Sequence, residues 1–475
     1  MSDNQFTQAV PGSKKDFCVH GHFYQPPRED PFTGKIPIEY GAFPFPNYNE
    51  KIYDQCYRPN AELGNFSRIS FDIGPTLASW LESEHLDTYL LILAQEHLVY
   101  EWYGVSNAMA QSYNHSILPL ATRADKVTQV RWGIIDYEYR FGHKPLGMWL
   151  PETAVDMESL EVLYEEGIRY TILAPWQARA HNVDVTHPYW VDLGNDRRFY
   201  IFYYNADLSM KVSFMPEATV NADGFVYEEL LPLYPDRMRN RRYHIIASDG
   251  ELYGHHQPFR DKFLEWLTTG SLDFMDLDSV FPEMMLKLDV PIPETHIRDN
   301  TSWSCHHGIK RWASECECAE HGKWKRGMRS AFNRIAEFVD EEMEKALAPY
   351  GLDLLTFRNE YAYVLTGQET AEEQLARLVG RELPDDEKQK LLMLMQAQYE
   401  RQRMFTSCGW FFGDFERLEA RNNLAYAAMA MRLLTEVTGN QNYYNTIYHM
   451  LYRVESETSG VRASTYFAKS FHRGL

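Results

Sequence analysis

Two acidic residues, about a hundred positions apart, each stand at the end of an apolar segment. Glu152 ends Gly147-Met148-Trp149-Leu150-Pro151, and Asp249 ends Ile245-Ile246-Ala247-Ser248. Short apolar runs are typical of buried parallel strands, and the carboxyl ends of such strands carry the chemistry of α/β folds. Two carboxylates at one edge can split a glycosidic bond, because one attacks the sugar carbon while the other protonates the leaving oxygen. Either acid taken alone is equally typical of a helix cap or an arginine partner.

A third polar segment follows the first predicted strand, Asp16-Phe17-Cys18-Val19. His20 and His22 are two residues apart, so in an extended chain both side chains point to the same side. Gln25 adds an amide, and the prolines that follow it prevent a helix from starting there.

Five segments, in order, resemble the sequence motifs of glycoside hydrolase family 57, an α-glucan-active family. The third motif of that family carries its nucleophile, which corresponds to Glu152, and the fourth carries its acid/base, which corresponds to Asp249. The resemblance extends from residue 17 to about residue 312. The five segments are 19–29, 114–120, 147–152, 249–255 and 301–308.

The resemblance implies an α/β fold, an incomplete (β/α)7 barrel of TIM type over residues 14–312, followed by an all-α domain over 313–475. It implies a retaining hydrolase or transglycosylase of amylase, 4-α-glucanotransferase or branching type. The expected partner is an α-glucan or maltooligosaccharide, with no cofactor and no metal. The substrate-binding residues expected beside Glu152 and Asp249 are His20, His22, Gln25, His115, Trp149, Glu251, His255, Trp303, His306 and Trp410.

Hydrophobic periodicity predicts the elements that position these residues. Strands and helices alternate up to about residue 270, which is typical of βαβ units, and residues 23–70 are predicted as one long irregular wall of the site. Strands are predicted at 170–173, 189–193 and 198–204, and helices at 75–84, 86–103, 124–141 and 156–166. Beyond residue 310 only helices are predicted, at 324–347, 352–365, 371–379, 386–404, 415–437 and 442–454.

Composition restricts the class of protein. The net charge is −20 and the pI near 5.3, which argues against nucleic acid as a partner because phosphate binding needs a basic face. The six cysteines are irregularly spaced, and no 18-residue apolar stretch or N-terminal signal segment is present. We therefore expect a cytoplasmic protein without a membrane partner. Its oligomeric state cannot be predicted from the sequence.

Several alternatives use the same residues. His20, His22 and Asp249 could bind a metal in a metal-dependent carbohydrate hydrolase or deacetylase, and a non-catalytic α-glucan-binding protein is a further alternative. Trp410, in a Gly-flanked aromatic loop, is expected either to stack on sugar or to lie in the core. A zinc site could form from Cys305, His306, Cys316, Cys318 and His321.

Overall fold

The computed structural model describes residues 15–234, 242–270, 277–288 and 292–473. Its centre is a curled sheet in which seven strands run parallel, in the order β8-β1-β2-β3-β4-β5-β7. A single parallel bridge between Gly147 and Tyr170 joins the first five of these strands to the last two. Strand β6 pairs antiparallel with β7, and β9 pairs with the start of β1. The strands are β1 Lys15–Phe23, β2 Ser70–Ile73, β3 Ala108–Gln111, β4 Met148–Trp149, β5 Tyr170–Leu173, β6 Tyr189–Asp192, β7 Arg198–Tyr203, β8 Arg242–Asp249 and β9 Leu277–Ser279.

No described strand pairing closes the sheet between β7 and β8, so the barrel is incomplete, as the family resemblance implied. Its central strand β1 is buried on both faces, which is why Phe17-Cys18-Val19 is a continuous apolar run. Helices cover the outside of the barrel. They are α1 Tyr48–Ile52, α2 Arg58–Glu62, α3 Pro75–Glu84, α4 Leu86–Tyr103, α5 Arg123–Phe141, α6 Met157–Glu165, α7 Ala206–Phe214, α8 Ala222–Phe225, α9 Arg260–Leu267, α10 Pro282–Leu286 and α11 Lys310–Ala313.

The described part of the chain after residue 313 is helical, as predicted, and its hydrophobic core also includes Ile117 and Ala154 from the barrel. The amphipathic helix α12 provides the centre of this core with Phe332, Ile335 and Val339. The helices are α12 Trp324–Leu347, α13 Leu354–Glu360, α14 Ala362–Leu365, α15 Ala371–Val379, α16 Asp385–Arg403, α17 Cys408–Phe411, α18 Leu418–Thr438, α19 Gln441–Tyr452 and α20 Ala463–Phe471. The proposed domain boundary at residues 312/313 remains a prediction.

Two expectations were wrong in detail. Strands β2 and β3 were not predicted, and the stretch from 23 to 70 contains helices α1 and α2 besides irregular chain. No helix in the described ranges is both long enough and apolar enough to cross a membrane.

Candidate active site

Glu152 lies just beyond β4, in a single 3₁₀ turn formed by Pro151–Thr153. Its backbone is left-handed, with φ 58°, and Thr153 follows with φ 47°. Such angles are costly for residues other than glycine and persist where the surrounding structure enforces them, often at functional sites. The turn therefore holds the Glu152 carboxylate at the barrel mouth in one direction.

Two neighbouring side chains donate hydrogen bonds to one oxygen of Glu152. Ser304 Oγ lies 2.7 Å and Trp303 Nε1 lies 3.0 Å from Glu152 Oε2. Burial raises the pKa of Glu152 above its usual value and the charge of Asp249 adds to the rise, whereas the bonds from Ser304 and Trp303 limit it. Hydrogen bonds to a carboxylate favour its ionised form, so these donors keep Glu152 available as a nucleophile. Trp149 and His20, two of the expected substrate-binding residues, do not donate to Glu152 in the described part of the chain.

Asp249 is the last residue of β8 and pairs in register with His22 on β1. Its side chain is exposed to solvent. Enclosure by the surrounding protein nevertheless raises the pKa of Asp249, while His22 and His256 lower it. No hydrogen bond from the described residues supports its charged form. Asp249 therefore lacks the hydrogen bonds that stabilise ionised Glu152, and its surroundings favour the protonated acid.

Glu251 is buried two residues further along the chain. Its Oε1 accepts hydrogen bonds from the Tyr57 hydroxyl at 2.7 Å and from the Tyr24 backbone N–H at 3.1 Å. Burial raises the pKa of Glu251 to about 7. The residue between the two acids is a glycine because a Cβ on Gly250 would lie 2.3 Å from the Phe23 ring. The structure thus gives Glu251 an internal position.

His22 is at the centre of these acidic side chains. Its Nδ1 lies 2.8 Å from Asp72 Oδ2, and its Nε2 lies 3.1 Å from His115 Nε2. Burial alone would lower the pKa of His22, but Asp72, together with Asp249 and Glu251, raises it to about 9. We therefore assign His22 as an imidazolium ion that donates to Asp72 and to His115.

His115 is neutral in this arrangement, because burial and the neighbouring His22 charge lower its pKa well below the usual value. Its Nδ1 lies 2.6 Å from Ser407 Oγ, a residue of the helical region. Its backbone is left-handed, with φ 51°. A continuous chain of polar groups thus links the barrel strand β2 to the helical region through two histidine rings.

His20 faces the same network but has no free ring nitrogen. Its Nδ1 bonds to Ser70 Oγ at 3.0 Å and its Nε2 to Asp72 Oδ1 at 3.1 Å. The Trp149 ring stacks on His20, and Trp149 Nε1 has no hydrogen-bond partner in the described chain. With both nitrogens of His20 engaged, this geometry does not support the metal-ligand set of His20, His22 and Asp249.

Three further predicted binding residues, Gln25, His255 and His306, have different surroundings. Gln25 donates to the Tyr57 hydroxyl, at 3.0 Å, and so acts on Glu251 indirectly. His255 bonds to Gln55 at 2.7 Å and lines a surface cleft with Phe259. His306 is exposed to solvent.

Trp410 does not fit the expected sugar contact. Its ring is 0 % exposed and packs against Trp324 and Phe332 in the core of the helical region. The glycine that precedes it lies close to helix α18, not in an open loop: a Cβ on Gly409 would lie 2.2 Å from Asn423 Nδ2. Ser407, in the same segment, is the residue that reaches the site.

Sequence reasoning missed Asp72, Ser304 and Ser407. Asp72 lies in the unpredicted strand β2, although Ile69-Ser70-Phe71-Asp72-Ile73 before Gly-Pro carries the same pattern of an acid in an apolar run. Ser304 lies in the fifth motif, but the resemblance alone assigns it no role. Ser407 had no local signal, because its partner His115 is 292 residues away.

Comparison with known proteins identifies the family of this chain. Residues 22–283, more than half of the chain, match the family model described as Glycosyl hydrolase family 57. This chain belongs to glycosyl hydrolase family 57. Residues 321–466 match a second model, described as Domain of unknown function (DUF3536).

A curated relative is alpha-amylase 1 of Dictyoglomus thermophilum, 24% identical over 289 aligned positions; the match covers 50% of this chain and 39% of that protein. The match thus spans well under half of that relative's length.

Solved structures resemble almost the whole chain. An exo-type maltose-forming amylase from Pyrococcus sp. ST04 has a TM-score of 0.75 at 15% identity, covering 96% of this chain and 88% of that one. A family 57 branching enzyme from Thermococcus kodakaraensis has a TM-score of 0.62 at 15% identity, covering 95% and 96%. A 4-alpha-glucanotransferase from Thermococcus litoralis has a TM-score of 0.57 at 16% identity, covering 89% and 60%. These likenesses confirm the predicted fold, including the helical region.

Proposed function

We propose that this family 57 member is a retaining enzyme that cleaves α-glucosidic bonds and transfers the glycosyl group to water or to another glucan. The observation that carries the proposal is the pair Glu152 and Asp249 at the carboxyl ends of β4 and β8. The two acids are close enough for the charge of Asp249 to raise the pKa of Glu152. A retaining glycosidase needs two such carboxyl groups, about 5–5.5 Å apart.

The electrostatic differences between the two acids support a division of labour. Glu152 accepts two hydrogen bonds that favour its anion, so it attacks the anomeric carbon and forms the glycosyl-enzyme. Asp249 has a raised pKa and an exposed carboxyl group, so it donates its proton to the departing oxygen. The resulting Asp249 anion then takes a proton from the acceptor hydroxyl in the second step.

His22 acts on both acids through its charge. As a cation held by Asp72, it lowers the pKa of both Glu152 and Asp249 and thus limits the repulsion between them. Without such a charge, two carboxylates in one site would share a proton and neither role would be fixed.

Aromatic side chains around the acids suit a sugar ligand. Trp176, directly after β5, is 40 % exposed, and its Nε1 donates to the Ser302 carbonyl at 3.0 Å. Tyr204 packs edge-on against both Trp176 and Trp303. Sugar rings pack their C–H faces on such rings, so we propose Trp176 as a binding platform that the sequence did not identify. The relatives named for amylase, glucanotransferase and branching activity support an α-glucan as substrate.

The cellular location that we propose is the cytoplasm. None of the six cysteines, all of which lie in the described ranges, is paired in a disulfide, as expected in a reducing compartment.

Azide rescue tests the two roles separately. With an activated aryl α-maltooligoside, Glu152→Ala should be inactive until azide attacks the anomeric carbon as the aryloxide leaves, giving the β-glycosyl azide. Asp249→Ala should still form the glycosyl-enzyme, which azide attacks from the other face, giving the α-glycosyl azide. The isosteric variants Glu152→Gln and Asp249→Asn are the matched controls, and Asp249→Asn should be slowest on substrates with poor leaving groups.

The outcome is identified by NMR of the azide products. The assigned roles would be refuted by the opposite anomers from the two variants. The proposal as a whole would fail if the wild-type enzyme converted neither maltooligosaccharides nor amylose, or if its first product had inverted configuration.

A further inference from the structure

Three cysteines and one histidine converge between the barrel and the helical region, apart from the two acids. One ligand atom from each of Cys305, His307, Cys316 and Cys318 lies within 4.8 Å of every other. We propose that these four residues bind one zinc ion. No other group of this kind was found among the residues that the structure describes.

The distances between the ligand atoms fit a tetrahedral centre. Cys305 Sγ lies 3.6 Å from Cys316 Sγ, and His307 Nδ1 lies 3.4 Å from Cys316 Sγ and 3.3 Å from Cys318 Sγ. Zinc bonds of about 2.3 Å to sulfur and about 2.0–2.1 Å to nitrogen give tetrahedral edges of about 3.8 Å and about 3.5 Å. The side chains are therefore arranged around a space of the right size for the ion.

Two tight turns present the ligands in the same way. Cys305 and His307 are the first and third residues of a turn closed by a 3.0 Å hydrogen bond from the Gly308 N–H to the Cys305 carbonyl. Cys316 and Cys318 have the same positions in a turn closed by the Ala319 N–H at 2.9 Å. Two facing turns of this form supply a closed Cys₃His set, which is typical of structural zinc sites.

The first turn depends on its glycine. Gly308 has φ 71°, and a Cβ there would lie 2.0 Å from the Asn300 carbonyl oxygen. Glycine fits at position 308 because the turn passes close to the Asn300 backbone there and leaves no room for a side chain.

The surroundings of His307 also fit a metal ligand. While Nδ1 faces the sulfurs, Nε2 lies 3.6 Å from a carboxylate oxygen of Glu317. Histidines that bind metals commonly donate their second ring N–H to a carboxylate, which fixes the tautomer. Lys310 in turn donates to both Glu317 oxygens at 3.0 Å.

This ligand set corrects the one considered from the sequence. His307, not His306, faces the sulfurs, and His321 is not among the converging residues. The unusual Cys-x-Cys spacing suits this site because the first and third residues of each turn supply the ligands. Soft thiolate ligands with one imidazole favour zinc over the oxygen-seeking cations.

The site would also act on the catalytic loop, an inference that rests on the proposed function. Cys305 directly follows Trp303 and Ser304, the two donors to Glu152. An ion that ties Cys305 to the 316–318 turn would hold these donors at the distances observed. Zinc would thus be a positioning element, without contact to the substrate.

The first experiment measures bound metal in the full-length protein, independently of activity. Protein purified in the presence of a thiol reductant should carry about one zinc per chain, and the reduced, zinc-free protein should bind Co²⁺ with the intense visible bands of a tetrahedral thiolate site. Cys316→Ser and Cys318→Ser should lose the zinc and the sulfur-to-cobalt band. His306→Gln and His321→Gln are matched controls and should keep both.

The second experiment needs no variant and remains informative if the cysteine variants fail to fold. Zinc should protect Cys316 and Cys318 from alkylation, as mapped by mass spectrometry, and its removal should lower the melting temperature because the ion binds the folded chain. The proposal would be overturned by wild-type protein that binds neither Zn²⁺ nor Co²⁺. It would equally be overturned by a Cys305–Cys316 disulfide that leaves four free thiols instead of six, or by a cobalt spectrum unchanged in Cys316→Ser.

Discussion

Replacing Ser304 with alanine removes one of the two hydrogen bonds that favour ionised Glu152. The lost bond is the shorter of the two, 2.7 Å from Ser304 Oγ to Glu152 Oε2. Hydrogen bonds to charged groups are worth about 1.5–3 kcal/mol, and one pKa unit corresponds to about 1.4 kcal/mol. Because Glu152 is only half-buried and water can replace part of the bond, we expect its pKa to rise by about one unit, the low end of this range.

The sign of the effect on rate follows from the proposed role. Glu152 must be ionised to attack, so activity falls as the pH drops through its pKa. A higher pKa in Ser304→Ala moves the acidic limb of kcat/KM to higher pH by about one unit. Below that limb the variant should be about tenfold slower than wild type, while the plateau should be nearly unchanged.

The assay is a kcat/KM profile against pH with a maltooligosaccharide. Ser304→Thr should restore the wild-type limb because it keeps the hydroxyl. Ser302→Ala is a matched control in the same loop, since its hydroxyl donates to the Gly308 carbonyl at 2.9 Å and not to an acid. The reasoning would be refuted if the limb stayed in place in Ser304→Ala, or if it moved equally in Ser302→Ala.

Two further predictions concern stability. His22 has a pKa of about 9 in the folded protein against 6.5 ordinarily, so its stabilising charge is fully present below pH 6.5 and is lost as the pH rises through 9. Urea unfolding at these two pH values should show a loss of roughly 1–3 kcal/mol in wild type and a flatter dependence in Asp72→Asn; equal slopes would contradict the imidazolium assignment. Trp410→Ala should cost roughly 3–5 kcal/mol of unfolding free energy, since the ring is fully buried, without changing glucan affinity per folded molecule. A weaker glucan affinity of Trp410→Ala at an unchanged melting temperature would show instead that Trp410 contacts the sugar.

The sequence predicted long elements better than short ones. Helices with a sustained apolar face, such as α12 and α15, begin and end where periodicity indicated. Strands β2 and β3 have four buried residues each, as does β5, but only β5 has neither an acid nor an amide to interrupt its apolar pattern. Both strands also carry polar side chains, Asp72 and Gln111, whose partners are other side chains of the site. The polar side chains that the site requires thus interrupt the apolar pattern from which these two strands could have been predicted.

The two acids themselves were predictable because a strand end is a local feature. Their partners were not, because Ser304 and Trp303 meet Glu152 from about 150 residues away. A family motif can indicate that Ser304 and Trp303 belong to the same site as Glu152. It does not show which of their atoms donate hydrogen bonds to the carboxylate. The choice of Trp303 over Trp149 as the donor therefore required the fold.

The helical region completes the barrel site and does more than cover its surface. The Ser407 backbone N–H donates to the His115 carbonyl at 3.0 Å, while its hydroxyl meets the His115 ring. An antiparallel bridge between Ser116 and Thr406 supports the same contact. His115 has left-handed backbone angles, and strain of this kind persists only where neighbouring structure enforces it. Since His115 in turn accepts the hydrogen bond from charged His22, the segment around Ser407 fixes the orientation of the cation whose charge acts on both acids.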